Sequence, residues 1–145
     1  MKIALPDATG VLADYELTGT PVAADPLERD AVRIVYAAAH VVADPFAAAD
    51  PDGPAAVDWD ATMAFRRHLA GLGLGIAEAM DTAQRGAGLD WPGALELITR
   101  TRAELPEALV TNGVGTDHLD PGEARNLDAV RAAYLDQLEA VQRIG

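Results

Sequence analysis

GLGIAEAMDTAQRGAGLDW, residues 73–91, decides how this chain is read. An apolar, strand-like run from Gly75 to Met80 breaks into Asp81, Thr82, Gln84 and Arg85, and Asp90 then stands where a helix cap belongs, ahead of Trp91 and Pro92. In parallel α/β proteins the carboxyl end of a strand, just before the following helix, is where chemistry sits.

The same pattern recurs on both sides. Upstream, Val32 to Val42, VRIVYAAAHVV, is apolar and β-branched at both ends and reads as a strand buried on both faces. Residues 43–57, ADPFAAADPDGPAAV, with Pro45, Pro51, Gly53 and Pro54, read as a long loop. Asp58 fits an N-cap, Thr62, Phe65, Leu69 and Leu72 recur at helical spacing, and the glycines of GLGLG stop that helix. Downstream, Leu95 and Ile98 share one face of a helix expected to end near Pro106. A third unit follows: strand-like ALVTNGVG (108–115), the loop TDHLDPGEAR (116–125), and a helix with Leu127, Val130, Tyr134, Leu138 and Val141 in its apolar stripe.

At the start of the chain, KIALPD and VLADYEL flank a Thr9-Gly10 turn, the pattern of a β-hairpin. The expected fold is therefore α/β in a single domain. It has an amino-terminal β-hairpin over residues 1–20, a linker over 21–31, and three βα units over 32–145. Three such units in succession imply a parallel sheet with right-handed crossovers. Three strands leave one sheet face and two edges without partners, and a complete (β/α)8 barrel takes about 250 residues, so the question of closure stays open and the pattern reads as unfinished. Unpaired sheet edges are a liability for association, and self-association through them is expected of this chain alone.

Composition narrows the partners. Eleven Lys and Arg against 23 Asp and Glu give a formal net charge of -12, which disfavours nucleic acid and anionic membranes as partners. The chain has no cysteine, which excludes disulfides, thiol catalysis and thiolate zinc sites. MKIALPDATG is unlike a signal peptide and no segment approaches spanning length, so a cytoplasmic location is expected. Lys2 is the only lysine; all other cationic side chains are arginine.

The candidate residues follow from alternation along the strands. Tyr36, Ala38 and His40 share one face of their strand, and Ile76, Glu78, Met80 and Thr82 one face of theirs. If His40, Glu78 and Asn112 all point inward, neighbouring strands place an imidazole, a carboxylate and an amide in one polar layer. The plainer alternative pairs Glu78 with an arginine of the surrounding helices, Arg66 or Arg67, and leaves His40 as a satisfied core histidine. Asp81, Thr82, Gln84 and Arg85 lie at a strand end, where either ligand contact or a loop network that caps the next helix accounts for them, and Thr116, Asp117 and His118 follow the third strand, where the alternative to facing the same mouth is a solvated loop. GLGLG follows a helix rather than a strand and is a helix stop, not a dinucleotide fingerprint. Trp59 and Trp91, each next to a capping aspartate, most simply pack the helix starts, and Asp128, Arg131, Asp136 and Glu139 form a solvated face.

Taken together, YAAAHVVADP, DWDATMAFRRHL, GLGIAEAMDTAQRGAGLDW and NGVGTDHL resemble a bacterial family of dihydrodipicolinate synthase-like proteins, domain of unknown function 993. The resemblance covers most of the chain and implies a TIM barrel related to the pyruvate-dependent class I aldolases, of which only the amino-terminal portion is present. Those relatives hold a keto-acid carboxylate with a Thr-Thr pair after strand two. MDTAQRG takes that place, with Thr82 matching the first threonine, Ala83 replacing the second and Gln84-Arg85 replacing an acidic residue. Arg85 has the donors to hold a carboxylate instead. The relatives' GxG followed by Ser or Thr is matched by Gly113, Val114, Gly115 and Thr116. Their strand-four tyrosine and Schiff-base lysine would lie beyond Gly145, and Lys2 in a hairpin lacks the desolvated setting that a nucleophilic lysine needs.

The resemblance thus implies a lyase of the aldolase type without a bound cofactor or metal. Its substrate would be a small-molecule carboxylate or carbonyl compound, with Asp81, Thr82, Gln84, Arg85, Asn112, Gly113, Gly115 and Thr116 binding it and Glu78 or His40 moving protons. This chain alone would be inactive. Two other readings stay open: a non-catalytic half-barrel that serves as an assembly module or remnant, and a metal-dependent barrel using His40, Glu78 and His118.

Overall fold

The computed structural model describes residues 2–16, 18–20, 33–47 and 53–145. The expected 21–31 linker and Val32 lie outside the described residues.

The hairpin forms as read: β1 (Lys2–Pro6) pairs antiparallel with β2 (Leu12–Glu16). Its turn is closed by Asp7, whose carboxylate accepts from the Thr9 amide (2.8 Å), the Thr9 hydroxyl (2.6 Å) and the Val11 amide (3.1 Å). The Thr9 hydroxyl bond leads in holding that carboxyl below the ordinary aspartate range.

Three short strands, β3 (Tyr36–Ala38), β4 (Gly75–Glu78) and β5 (Val110–Asn112), form a separate parallel sheet in the order β3-β4-β5. Their registers are Ala37 with Ile76 and Ile76 with Val110. Helix α1 (Trp59–Gly71) joins β3 to β4, α2 (Trp91–Glu104) joins β4 to β5, and α3 (Leu127–Ile144) follows. Crossovers of one hand between strands laid down in sequential order put both connecting helices on the same side of the sheet. Glu78 verifies this, because its side chain touches α1 and α2 together.

The caps are those expected: the Asp58 side chain accepts from Ala61 N and Asp90 from Gly93 N, each at 2.9 Å. These bonds satisfy amide donors that a helix start leaves unpaired. The core between sheet and helices contains Ile76, Met63, Leu69, Leu97, Ile98 and Ala94. Its sheet-facing positions are Ile76 and Glu78, so Ala77 and its neighbours Ala38 and Thr111 fall on the opposite, uncovered face. On that face the Tyr36 ring lies across Gly75, where a Cβ would sit 2.8 Å from two ring carbons.

Two expectations need correction. Among the described residues, the strand read as Val32–Val42, buried on both faces, spans Tyr36–Ala38, and Ile34, Val35 and Tyr36 are exposed. Beyond Ala38 the chain leaves β4 and doubles against the segment before α1. Asp44 N donates to Ala56 O, Asp58 N to Val42 O, and Val42 N to the Thr62 hydroxyl. Helix α3 buries Ala133 and Gln137, whereas Leu127, Tyr134 and Leu138 of the expected stripe are exposed. The helix is turned so that Val141 and Ile144, with Gln137 and Ala133 one and two turns before Val141, face the rest of the molecule.

Candidate functional site

At the carboxyl ends of β4 and β5 the chain cannot continue in the sheet. Ala79 and Gln84 both adopt positive φ (51° and 63°), and a single 3-10 turn, Asp81–Ala83, separates them. The Gln84 carbonyl then accepts from Ala87, Gly88 and Leu89 amides at 3.0 Å each, which folds the strand end back and sets Arg85 against β5. On the β5 side Gly113 N donates to Glu78 O at 2.9 Å. A Cβ at Gly113 would lie 2.6 Å from the Ala79 carbonyl oxygen, so only glycine permits this approach of the two strand ends.

Arg85 is the hub. Its Nη1 donates to Gly113 O (2.8 Å) and Ala79 O (3.3 Å), its Nη2 to Gln137 Oε1 (2.7 Å) and to Asp117 Oδ1, and its guanidinium lies 5.3 Å from the Trp91 ring centroid. Gln137 Oε1 also accepts from Gly115 N at 2.7 Å. With that oxygen taken by two donors, the amide Nε2 is turned toward Asp117 Oδ1 (3.0 Å) and His118 Nδ1 (2.8 Å). The His118 imidazole therefore accepts at Nδ1. Burial would raise the Asp117 carboxyl, but hydrogen bonds from Gln137 and Arg85 outweigh it and hold the group below the ordinary aspartate range.

Beside this network opens a cleft of about 300 Å³ lined by Met80, Asp81, Arg85, Gly113, Gly115 and Thr116, together with Ala79, Val114 and Asp117. A neighbouring cleft of about 260 Å³, floored by Gly86 to Asp90, shares Asp117 as its wall. A larger cleft, about 400 Å³, lies at the opposite, amino end of the strands against Ile34, Leu74, Leu105 and Leu109. Size alone favours the last, but convergent polar groups and the strand-end position favour the first.

The residues singled out in the sequence divide accordingly. Asp81, Arg85, Gly113, Gly115 and Thr116 come together at the cleft. Thr82 does not line it; its hydroxyl is buried with no hydrogen-bond partner among the described residues. Gln84 is exposed and serves the turn through its carbonyl. Asn112 sits beside Glu78 in register, on the helix-facing side, with its Oδ1 buried and likewise unpartnered among the described residues.

The shared layer of His40, Glu78 and Asn112 is not formed. Glu78 is fully buried in the helix layer. Arg66 donates to it from Nε (2.5 Å) and Nη2 (2.6 Å), Thr101 donates its hydroxyl (2.7 Å), and Ala79 its amide (2.9 Å). The same arginine ties down β3 through the His40 carbonyl at 2.8 Å, while His40 itself is exposed and not a core residue. The alternative ion-pair reading is the one the geometry takes, with Arg66; Arg67 instead reaches Glu104 at the surface. His40, Glu78 and His118 do not converge. Among the described residues no three His, Asp or Glu side chains group so as to hold a metal ion.

A family model described as "Protein of unknown function (DUF993)" matches residues 3–145. The chain belongs to the DUF993 family. No curated protein matches it. Among the described residues of this DUF993 chain, no helix is long and apolar enough to cross a membrane.

Two members of the network were missed in the DUF993 sequence. Gln137 stands four residues from both Ala133 and Val141, a polar side chain inside the stripe that α3 buries, and that position was its signal. Trp91 packs the start of α2 as expected, but it also stacks under Arg85 and lies 6.2 Å from the His118 ring, for which the sequence carries no signal.

Proposed function

We propose that this chain forms the first three βα units of an aldolase-like (β/α)8 barrel whose complete form binds a small keto acid or related carbonyl compound and makes or breaks a carbon–carbon bond. The observation that carries the reading is the polar cleft at the carboxyl ends of β4 and β5, on a parallel sheet laid down in sequential order. Sequential order is what a barrel needs, and the uncovered sheet face with Tyr36, Ala38 and Thr111 exposed supports an inward face that further strands would close over.

Within that reading the resemblance to dihydrodipicolinate synthase-like proteins assigns the anion site to MDTAQRG. Arg85 holds the carboxylate, taking the role that Thr82, with its hydroxyl buried away from the cleft, does not fill. The glycines at 113 and 115 let a ligand approach the backbone. His40, at the end of β3 and exposed, is the better placed candidate for proton transfer, since the Glu78 carboxylate is enclosed by Arg66 and Thr101. Lys2, the one lysine, is exposed on the hairpin, so imine chemistry would require a lysine supplied from outside this chain.

Borohydride reduction in the presence of pyruvate tests the reading. The protein that carries this chain should gain the mass of a reduced keto-acid adduct on a lysine outside residues 1–145, and the isolated chain should gain none. Absence of both adduct and keto-acid binding in the former would refute the proposal. The exposed sheet face also favours a second reading, an assembly module; sedimentation of the isolated chain as a strict monomer would argue against it.

A further inference from the structure

The group that Arg85 would offer to a ligand carboxylate is already in use. Its Nη2 donates to Asp117 Oδ1, and Gln137 Nε2 donates to the same oxygen at 3.0 Å. Meanwhile Nη1 is held by the Gly113 and Ala79 carbonyls, Nη2 is also held by Gln137 Oε1, and the guanidinium lies over Trp91. These contacts fix the arginine whether or not Asp117 is present. Asp117 is the replaceable partner, because it stands in the 116–122 loop beyond β5 and its contacts with Arg85 and Gln137 both fall on one oxygen.

Resting on the reading of Arg85 as the anion-holding residue, we propose that Asp117 is an internal competitor for that site. Its carboxylate occupies the place of the ligand's and swings aside when a ligand carboxylate binds. The ligand then takes the donors that Asp117 releases, Arg85 Nη2 and Gln137 Nε2. Both Asp117 and a keto acid are carboxylates, so the exchange swaps one charge-assisted contact for another of the same kind. Asp117 also lines both clefts, of about 300 and about 260 Å³, so moving it aside enlarges the space open to a ligand bigger than the carboxylate itself. The network thus restricts entry to ligands that bring an anion, since a neutral carbonyl compound cannot replace Asp117 on the guanidinium.

The test is titration with pyruvate, followed by backbone amide NMR, of the protein that carries this chain, as the wild type, Asp117→Asn and Arg85→Gln. Asp117→Asn keeps the shape and removes the competing charge, and should bind pyruvate about tenfold more tightly, the scale of one charge-assisted contact weakened. Arg85→Gln should abolish binding. Asp117→Ser, smaller and equally uncharged, repeats the first comparison if the asparagine perturbs the loop, and unchanged β3–β5 amide shifts report an intact fold. Neutral variants that bind no more tightly than the wild type, with Arg85→Gln still inactive in binding, overturn the competitor and leave the anion site standing. Arg85→Gln that binds like the wild type overturns both.

Discussion

Replacing Glu78 with alanine tests whether this carboxylate holds the fold together or serves the cleft. The substitution leaves Arg66 Nε and Nη2 without their acceptors at 0% exposure, and also strands the Thr101 hydroxyl and the Ala79 amide. Removing one partner of a buried ion pair costs about 3–5 kcal/mol, because the remaining charge stays desolvated and unpaired. Against a typical domain stability of about 5–15 kcal/mol this is a large fraction. At about 2–4 °C per kcal/mol for a chain near this size, the melting temperature should fall by roughly 6–20 °C. The double variant Glu78→Leu/Arg66→Met removes both charges and fills the space with apolar groups, and should recover most of the loss. Urea unfolding followed by circular dichroism measures all three proteins, with an unchanged slope indicating that the folded state is comparable. A single-variant loss below about 1 kcal/mol would refute the reasoning, since that is the scale of an exposed pair. A double variant no better than the single would refute it as well. Pyruvate binding that disappears from Glu78→Ala while stability is kept would return the residue to the site.

Other outcomes follow from the same contacts. Gly113→Ala should destabilise by about 1–3 kcal/mol, the usual cost of forcing an extra group into a packed position, because its Cβ would meet the Ala79 carbonyl at 2.6 Å; thermal unfolding reads it. Asp58→Ala and Asp90→Ala should each cost about 1 kcal/mol in chemical denaturation, through loss of the bonds to Ala61 and Gly93, and their effects should add because the caps are on different helices. The Asp117 carboxyl is held below its unfolded value, so its contribution to stability is complete above the ordinary aspartate range, around pH 4, and is lost as pH falls through the depressed folded value. Side-chain carboxyl shifts of Asp117 should follow that course, and Arg85→Gln should move the titration upward; an unmoved midpoint would contradict the Arg85 contact.

What the sequence conveyed and what it withheld have physical reasons. Local chemistry was legible: the Asp58 and Asp90 caps, the hairpin turn after Asp7, and the alternation of apolar runs that yields three strand–helix units. Period-two alternation correctly groups Ile76 with Glu78, yet it says nothing about which side of the sheet they take. That side is set by where α1 and α2 pack, and Glu78 goes with them because Arg66, twelve residues earlier, meets it there. The length of β3 was misread because Val42 and Asp44 find partners at Asp58, Ala56 and Thr62, across a loop whose path composition does not reveal. In α3, hydrophobicity pointed to Leu127, Tyr134 and Leu138, whereas the helix is turned to bury Gln137 against Arg85 and Gly115. The strand-end motif located the cleft, but the partners that organise Arg85 lie 32 and 52 residues away.

Amide NMR mapping of pyruvate onto the wild-type protein decides where, and whether, the anion binds. Within this chain, saturable shifts should be confined to Asp81, Arg85 and Gly113 to Asp117, at the carboxyl ends of β4 and β5. Shifts confined instead to Leu74, Leu105 and Leu109, around the larger cleft at the other end of the sheet, or none at saturating pyruvate, would contradict the account.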